Sequence, residues 1–375
     1  MKTVFLISNT SWSIFNFRSS LVSALSANGY RVVAVAPHDA YSTRIAELGC
    51  TFLPLPMDNK GRNPFRDVLL LIRLVALFIR EKPVCLLTFT IKPNIYGSIA
   101  ARFLGLPVVN NIAGLGSVFV SSGPTQSLVR SMYRAALSRS IRVFFQNQDD
   151  HRQFVEEKIV KEEVSEIVPG SGVNTSRFSP RQRTTSTDGT TFLFVGRLLR
   201  EKGVPEFVEA ARAIRLKRPT TRFQVLGFAG VENPSAIQPH EIRGWEEQGV
   251  IENLGETDDV RPFIANADCI VLPSYYREGV PRSLLEAASM ERPIIATDMP
   301  GCRETVLDGI SGYLVQPKSV ADLEEKMTRF VDLPIHSREE MGRRGRLHVQ
   351  TKFDEQVVIS RYLSVITAIA PRPQC

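Results

Sequence analysis

Short runs rich in β-branched residues alternate with longer amphipathic stretches along almost the whole chain of 375 residues. The alternation occurs as two series, separated by the polar stretch Ser179–Thr190. A β-branched run followed by a helical stretch is typical of βα units, which assemble around a parallel sheet. The sequence therefore predicts an α/β protein with two parallel sheets.

The first series predicts seven strands, at Thr3–Ile7, Arg31–Ala36, Thr51–Leu55, Val84–Thr88, Pro107–Asn111, Arg142–Phe145 and Val164–Val168. The second predicts six, at Thr191–Val195, Arg222–Leu226, Val250–Asn253, Cys269–Leu272, Pro293–Ala296 and Gly312–Val315. The clearest helical stretches are Phe17–Ala27, Pro64–Ile79, Pro93–Phe103, Gln126–Ser138 and Asp354–Ala368.

The polar stretch has the composition of a domain linker. We therefore predict two Rossmann-like domains, 1–180 and 181–355, that face each other across a cleft, and a final helical segment at 356–375. Ligands of open α/β sheets bind beyond the carboxyl ends of the strands, so the residues that follow each strand are the candidate site residues.

The chain has 43% hydrophobic and 23% charged residues, as expected of an ordinary soluble globular protein. Its net charge of +7 is uneven, because residues 1–180 hold 20 of the 46 basic residues but only 12 of the 39 acidic ones. Basic amphipathic stretches at Asn63–Lys82 and Ser127–Arg142 suit an anionic membrane surface, with ordinary packing helices as the alternative. Association by charge alone would be lost at high salt.

Other features exclude several classes of protein. The five scattered cysteines contain no C-x-x-C pair, which argues against a zinc site and for a reducing compartment. The N-terminal apolar run is too short for a signal peptide, and no stretch has the ~20 apolar residues of a membrane-spanning helix. No nucleic-acid recognition motif is present.

The strand Thr191–Val195 is followed by a turn, Gly196–Gly203, that carries Arg197 and Lys202. Two cations between a strand and a helix form a plausible clamp for a diphosphate, with arginine as a bidentate fork and lysine as a point charge. A solvated basic turn is the alternative.

A second candidate segment follows the strand Cys269–Leu272. Pro281 fits a first helical turn, which places Glu278 in the preceding loop and Glu286 in the second turn of the helix. The amides of Gly279 and Val280 would point at an anion on the helix N-terminus. The alternatives are a favourable dipole interaction for Glu278 and an exposed helix face for Glu286.

Three segments in this order resemble the family-4 retaining glycosyltransferases of GT-B fold. They are Pro169–Phe178, the turn Gly196–Gly203, and the Glu278 and Glu286 pair. The resemblance extends over nearly the whole chain. It implies that the final helix crosses back to the first domain and that donor binding closes the cleft.

The resemblance also assigns roles on the donor side. Arg197 and Lys202 would bind the donor diphosphate, Glu286 the ribose hydroxyls, and Glu278 the transferred sugar. The amides of Gly279 and Val280 would assist the phosphates. Glu278, Arg197 and Lys202 are thus the catalytic candidates.

Segments of the first domain narrow the resemblance to bacterial enzymes that extend undecaprenyl-diphosphate-linked sugars. Ser8–Arg18 and Asn111–Ser117 are similar to α-N-acetylgalactosaminyltransferases of glycoprotein glycan and O-antigen assembly, although the histidine that many family members carry in the second segment is absent. Thr90–Gly97 matches a family segment that lines the cleft.

These segments imply three acceptor-side candidates, Arg18, Lys92 and Asn94. A surface ion pair is the alternative role for Arg18, and a solvated turn is the alternative for Lys92.

The expected reaction is transfer of an N-acetylhexosamine, GalNAc by resemblance, from a UDP-sugar to a lipid-linked sugar, at the inner face of a bacterial plasma membrane. No D-x-D motif is present, so we expect no metal and no other cofactor. The alternatives are a GT-B-fold nucleotide-sugar epimerase, or a transferase that uses a GDP- or dTDP-sugar on a soluble acceptor. A dinucleotide-dependent oxidoreductase is disfavoured, because Phe119 replaces the third glycine of a G-x-G-x-x-G motif that begins at Gly114.

Overall fold

The computed structural model describes residues 1–58, 63–115, 124–182, 189–230 and 233–371. These residues form two compact α/β units. The first comprises Met1–Ser171 and the segment that begins at Glu355, and the second comprises Gly172–Asp354. No helix in the described ranges is both long and apolar enough to cross a bilayer.

A parallel seven-stranded sheet forms the centre of the first unit, in the order β3-β2-β1-β4-β5-β6-β7. Its strands are β1 (Lys2–Ile7), β2 (Tyr30–Ala36), β3 (Thr51–Pro54), β4 (Cys85–Phe89), β5 (Val108–Ile112), β6 (Arg142–Phe145) and β7 (Ser165–Ile167). Its helices are α1 (Ser11–Ala27), α2 (Pro64–Glu81), α3 (Ser98–Phe103), α4 (Pro124–Leu137), α5 (Gln148–Glu156) and, from the end of the chain, α12 (Glu355–Ile369).

The second unit has a parallel six-stranded sheet in the order β10-β9-β8-β11-β12-β13. Its strands are β8 (Thr191–Val195), β9 (Arg222–Leu226), β10 (Glu252–Asn253), β11 (Cys269–Leu272), β12 (Ile294–Thr297) and β13 (Gly312–Val315). Its helices are α6 (Val204–Lys217), α7 (Pro239–Glu247), α8 (Arg261–Asn266), α9 (Arg282–Ser289), α10 (Val320–Val331) and α11 (Ile335–Lys352).

Both sheets reverse their strand order beside their first strand. In the first unit β2 and β3 lie on one side of β1 and β4 lies on the other, and β8 separates β9 from β11 in the same way in the second unit. Loops that leave β1 and β4, or β8 and β11, therefore run in opposite directions and leave a crevice between them, where α/β proteins bind ligands.

The boundary between the two units lies before Gly172 and not at the predicted residue 180. The chain enters the second unit at Gly172, because Val173 and Phe178 are already buried in the core of that unit. The amide of Val173 donates to the carbonyl of Phe353, 2.9 Å away, which joins the two ends of this unit. Residues 183–188 of the predicted linker lie outside the described residues.

Two helices of the first unit differ from their predicted limits by more than two residues. The first begins at Ser11 rather than at Phe17, because the Thr10 hydroxyl accepts from the amide of Ser13 and caps a longer helix. The predicted helix Pro93–Phe103 is a π-helical turn, Pro93–Gly97, followed by α3. π-Helical turns are frequent at functional sites.

The final helix, α12, packs on the core of the first unit. Val358, Ile359, Tyr362 and Ile366 are buried together with residues of β1, β2 and β4. The side-chain amide of Asn111 donates to the Tyr362 hydroxyl at 2.9 Å, deep in this core. Burial raises the pKa of Tyr362 to about 12, so the hydroxyl stays protonated.

Tyr362→Phe is expected to lower the free energy of unfolding by about 1–3 kcal/mol, because it leaves the buried Asn111 amide without its acceptor. Chemical denaturation measures the change. Ser360→Ala removes a hydroxyl from the exposed face of the same helix and is expected to change stability by at most about 0.5 kcal/mol. Equal losses in the two variants would contradict the role of the Asn111 contact.

Candidate functional site

The loops that follow β8 and β11 meet at the crevice of the second unit. The two strands are neighbours, with Cys269 opposite Phe192 and Ile270 opposite Leu193. The β8 loop carries Arg197 and Lys202, and the β11 loop carries Glu278. The structure thus places three residues from distant parts of the sequence at one edge of one sheet.

Close backbone packing fixes these loops against each other. Gly203 has φ +80°, and a Cβ atom there would lie 2.2 Å from the carbonyl oxygen of Pro273. A Cβ on Gly301, after β12, would lie 1.8 Å from the carbonyl oxygen of Gly279. Only glycine permits such approaches, so the Glu278 loop is held on both sides by contacts that no side chain could replace.

Lys202 and Glu278 form an ion pair inside this arrangement. The Lys202 ammonium donates to Glu278 Oε1, and the two side chains are only 12% and 11% exposed. The buried hydroxyl of Ser274 donates to the same oxygen at 2.9 Å. Two residues to which the resemblance assigned different parts of a donor are therefore partners of each other.

Arg197 differs from Lys202 in its surroundings. Its side chain is exposed, and it has neither a hydrogen bond nor an ion pair with any residue that the structure describes. It follows β8 directly, on the same loop as Lys202. Its guanidinium is accordingly available to an anion at the crevice.

Glu286 lies in the second turn of α9, as the sequence indicated, but not on an exposed helix face. Its side chain is 14% exposed and accepts from Arg282 Nε at 3.0 Å. Burial raises the pKa of Glu286 above its usual range, whereas the charges of Arg282 and Arg177 oppose this shift. Arg282 was missed in the sequence, although its i,i+4 spacing from Glu286 is a signal for such a pair.

The prediction that Pro281 lies in the first helical turn is wrong by one residue. The helix begins at Arg282, and Pro281 precedes it as the N-cap with φ −63° and ψ 118°. Its carbonyl accepts from the amides of Leu284 and Leu285, at 3.2 and 3.4 Å. Gly279 and Val280 are buried in the segment that leads into this helix.

In the first unit, the N-terminus of α1 is occupied by a carboxylate of the protein itself. Asp39 accepts from the amides of Ser11 and Trp12, at 2.8 and 3.2 Å, and from that of Tyr41 at 2.8 Å. Dinucleotide-binding domains place a pyrophosphate at this helix terminus. The arrangement therefore disfavours dinucleotide binding in this unit. Gly116 and Phe119, on which that alternative depended, lie outside the described residues.

Lys92 lies after β4, at the crevice of the first unit, and is not a solvated turn residue. Its ammonium is 2.6 Å from Asp67 Oδ1 on α2, with the two side chains 14% and 15% exposed. The hydroxyl of Tyr96 donates to the other oxygen of Asp67 at 2.8 Å. Thr90, two residues before Lys92, has φ +69°, a strained conformation that is found mainly where function requires it.

Asn94 is 1% exposed, and both ends of its side-chain amide are hydrogen-bonded in the interior. Its oxygen accepts from the Thr88 hydroxyl at 2.7 Å, and its amide donates to the carbonyl of Asn111 at 2.8 Å. Asn110 donates to the same Asn94 oxygen at 3.3 Å. Asn94 thus holds the π-helical turn against the sheet, and its side chain is not offered to a ligand as the resemblance implied.

Arg18 is also in the interior, with 7% exposure, which rules out a surface ion pair as its role. Its guanidinium lies over the ring of Phe89, 4.3 Å from the centroid, at the carboxyl end of β4. Its charge opposes the rise in the pKa of Tyr362. Residues 116 and 117 of the predicted segment Asn111–Ser117 lie outside the described residues.

The family follows from comparison with known proteins. Residues 3–147 match the family described as glycosyl transferase 4-like, and residues 176–348 match the family described as glycosyl transferases group 1. The chain is therefore a glycosyltransferase of the GT-B fold, in which a 4-like domain precedes a group 1 domain. The family and fold class predicted from the sequence are confirmed.

Two curated relatives and one solved structure are particularly informative. The chain is 25% identical to the N,N'-diacetylbacillosaminyl-diphospho-undecaprenol alpha-1,3-N-acetylgalactosaminyltransferase of Campylobacter jejuni, over 96% of each chain. It is 25% identical to the UDP-Gal:alpha-D-GlcNAc-diphosphoundecaprenol alpha-1,3-galactosyltransferase of Escherichia coli, over 71% of each chain. HepE of Anabaena in complex with UDP and glucose has the same fold, with a TM-score of 0.78 and 15% identity over 98% of this chain and 100% of that chain.

The pH dependence of stability tests the burial of Glu286. Because its pKa is higher in the folded than in the unfolded protein, the folded state binds the proton more readily, and the free energy of unfolding falls as pH rises through the folded-state pKa. Glu286→Gln cannot titrate at this position, so the stability of the variant relative to the wild type should be greater at pH 8 than at pH 5, whatever the loss of the ion pair with Arg282 costs. Chemical denaturation at the two pH values measures it, with Glu209→Gln on an exposed face as the control. A relative stability that is unchanged or lower at pH 8 than at pH 5 would refute the assignment.

Proposed function

We propose that this glycosyltransferase moves an N-acetylhexosamine, GalNAc, from a UDP-sugar to an undecaprenyl-diphosphate-linked sugar in the assembly of a surface glycan, with retention at the anomeric carbon. The observation that carries the donor side is the joint position of Arg197, Lys202, Glu278 and Glu286 beyond β8 and β11. For the acceptor side, both curated relatives are named for undecaprenol-diphosphate sugars. Their names differ in the transferred sugar, so the choice of GalNAc follows the relative that is matched over 96% of its length.

In the proposed donor complex, Lys202 leaves Glu278 and pairs with the donor diphosphate. The ammonium keeps an anionic partner, because a phosphate oxygen replaces the carboxylate. Glu278 then accepts from a hydroxyl of the transferred sugar, while Ser274 continues to orient it. Arg197, which has no partner to give up among the described residues, adds a second cation.

The proposed chemistry is attack by the acceptor hydroxyl on the face from which the nucleotide departs. The bond between the anomeric carbon and the β-phosphate oxygen breaks as the bond to the acceptor oxygen forms, and the departing β-phosphate takes the hydroxyl proton. Negative charge grows on the diphosphate during this step. Preorganised cations and amides in a partly dry site stabilise such charge more effectively than water does.

The cations of this site would make a metal ion unnecessary for holding the diphosphate. The chain has no D-x-D motif, the carboxylate pair by which metal-dependent glycosyltransferases hold a diphosphate-bound ion. Transfer is therefore proposed to need no cofactor and to continue in EDTA.

On the acceptor side, Lys92 is proposed to face the acceptor diphosphate, whereas Arg18 lies in the interior. Lys92 would exchange Asp67 for a phosphate oxygen, as Lys202 exchanges Glu278. Because the acceptor is anchored in a membrane, the enzyme is proposed to work as a peripheral protein on the cytoplasmic side of a bacterial plasma membrane. The alternatives remain an epimerase of the same fold, or a transferase for another nucleotide sugar and a soluble acceptor.

A donor panel tests the function. UDP-, GDP- and dTDP-sugars are offered with an undecaprenyl-diphosphate-linked sugar, with and without EDTA, and the products are read by mass spectrometry and anomeric NMR. We expect one α-linked N-acetylhexosamine to be added from the UDP-sugar in both conditions. Conversion of the donor to its epimer without an acceptor would identify an epimerase, and loss of turnover in EDTA that Mg²⁺ restores would refute the metal-free proposal.

Arg197→Ala and Lys202→Ala test the charge stabilisation. Each is expected to lower kcat by about 10²–10³-fold, because one preorganised positive charge is lost from the transition state. Arg200→Ala is the matched control, since Arg200 lies in the same turn but pairs with Glu241 at 2.7 Å, and its kcat should stay near that of the wild type. Circular dichroism checks folding. Wild-type kcat in both test variants would overturn the donor site.

A further inference from the structure

Helix α2 has two apolar faces, and only one of them is covered by protein. Leu70, Leu74, Leu77 and Phe78 are buried in the core of the first unit. The opposite face carries large apolar side chains that are largely exposed: Phe65 (84%), Val68 (57%), Leu69 (44%), Ile72 (59%) and Ile79 (56%). These five residues are called the apolar face of α2. A contiguous exposed surface of this kind marks an interaction site.

Arginines line one edge of this face, and two of them have acidic neighbours, since Arg66 is 3.4 Å from Asp58 and Arg80 is 2.9 Å from Glu81. All of helix α2 lies in the described part of the chain, and its exposed charged residues are Arg66, Arg73 and Arg80. Their spacing of seven places them in one row along an edge of the apolar face. Arg73 has neither a hydrogen bond nor an ion pair with the residues described. A row of cations beside an apolar face complements an anionic lipid surface.

The arginines of the second basic segment, on and after α4, bond to the protein itself. Arg130 Nε pairs with Glu157 at 3.0 Å, and Arg134 donates to the carbonyls of Glu157 and Lys158 at 3.0 and 3.2 Å. Arg142 donates to the carbonyl of Glu163 at 3.2 Å. These arginines tie the helix and strand to the segment that follows α5. The structure therefore separates two segments that were equivalent in the sequence.

We propose that the apolar face of α2 inserts into the interfacial region of an anionic bilayer, with the arginine row at the level of the phosphates. The inference rests on the proposed function, in which the acceptor is anchored in such a bilayer, and it names the element that docks. Apolar burial is not weakened by salt, so membrane binding has a salt-resistant part in addition to the electrostatic part.

A second copy of the chain fits the face less well. A twofold dimer pairs a surface with itself, and this face would bring Arg66, Arg73 and Arg80 of two copies together without an exposed carboxylate on the helix. Lipid phosphates supply the negative charge that a second copy lacks.

Docking through α2 has a consequence for the candidate acceptor residues. Asp67 lies on the covered side of the helix, where it holds Lys92 and Tyr96 at 2.6 and 2.8 Å. The element that meets the lipid is therefore bonded directly to the turn that carries Lys92. This places the acceptor-side candidate close to the membrane plane in which a lipid diphosphate lies.

Co-sedimentation of the full-length protein with vesicles tests the proposal. Neutral phosphatidylcholine vesicles are compared with vesicles that also contain phosphatidylglycerol, at low and at high NaCl. We expect binding to the anionic vesicles, a part of which persists at high salt. Phe65→Ser with Ile72→Ser should weaken binding at least about tenfold and abolish the salt-resistant part, because two large apolar side chains no longer enter the lipid. The triple variant in which glutamine replaces Arg66, Arg73 and Arg80 should lose the salt-sensitive part of vesicle binding.

Leu216→Ser is the matched control, since Leu216 is 84% exposed on α6 of the second unit, and it should bind like the wild type. Two more measurements distinguish lipid insertion from self-association of the protein. In Phe65→Trp, brominated lipids should quench the new tryptophan more than they quench wild-type fluorescence. Analytical ultracentrifugation should show the same oligomeric state for the wild type and the double serine variant.

The proposal is overturned if the double serine variant binds vesicles like the wild type, or if Leu216→Ser loses as much binding as the double serine variant. It is also overturned if the wild type is a dimer and the double serine variant is a monomer. Vesicle binding is measured without donor or acceptor, so failure of the proposed transfer reaction leaves this test intact. In the transfer assay, the double variant should lose rate on an acceptor embedded in vesicles but keep its rate on a water-soluble short-chain analogue.

Discussion

Both candidate sites depend on the reversal of strand order beside the first strand of each parallel sheet. Connections to strands on opposite sides of β1, and again of β8, send neighbouring loops in opposite directions and open a crevice between them. Lys92 lies at the first crevice, and Lys202 and Glu278 lie at the second. The topology thus creates two places where side chains from distant parts of the chain converge, and the loops decide what chemistry each place carries.

The two crevices use a similar electrostatic device. In each, a lysine that is little exposed pairs with a carboxylate of the protein, Lys92 with Asp67 and Lys202 with Glu278. An ion pair of this kind keeps a cation oriented and neutralised in a site that is partly withdrawn from water. A phosphate can then replace the carboxylate without the cation having to be desolvated again. Both proposed phosphate sites would therefore work by exchange of partners.

The two faces of helix α2 separate the proposed membrane contact of the first unit from its interior. The covered face of α2 packs on the sheet and holds Lys92 through Asp67, and its other face presents Phe65 and Ile72 to the surroundings. Beneath it, Asn94 stabilises the π-helical turn. Rigid support of this kind would suit the proposed transfer to a lipid acceptor that diffuses in a membrane.

The sequence by itself determined the class of the protein, because the alternation of strands and helices is a local pattern and β8, β9, β11 and β13 were predicted to the residue. It also indicated the loops that carry Arg197 and Glu278, since these follow predicted strands, and the helix that carries Glu286. Only the tertiary structure decided that Lys202 pairs with Glu278, that Asn94 and Arg18 are interior, and that the two basic segments differ. Side-chain partners and burial depend on contacts between residues far apart in the chain, which local periodicity does not encode.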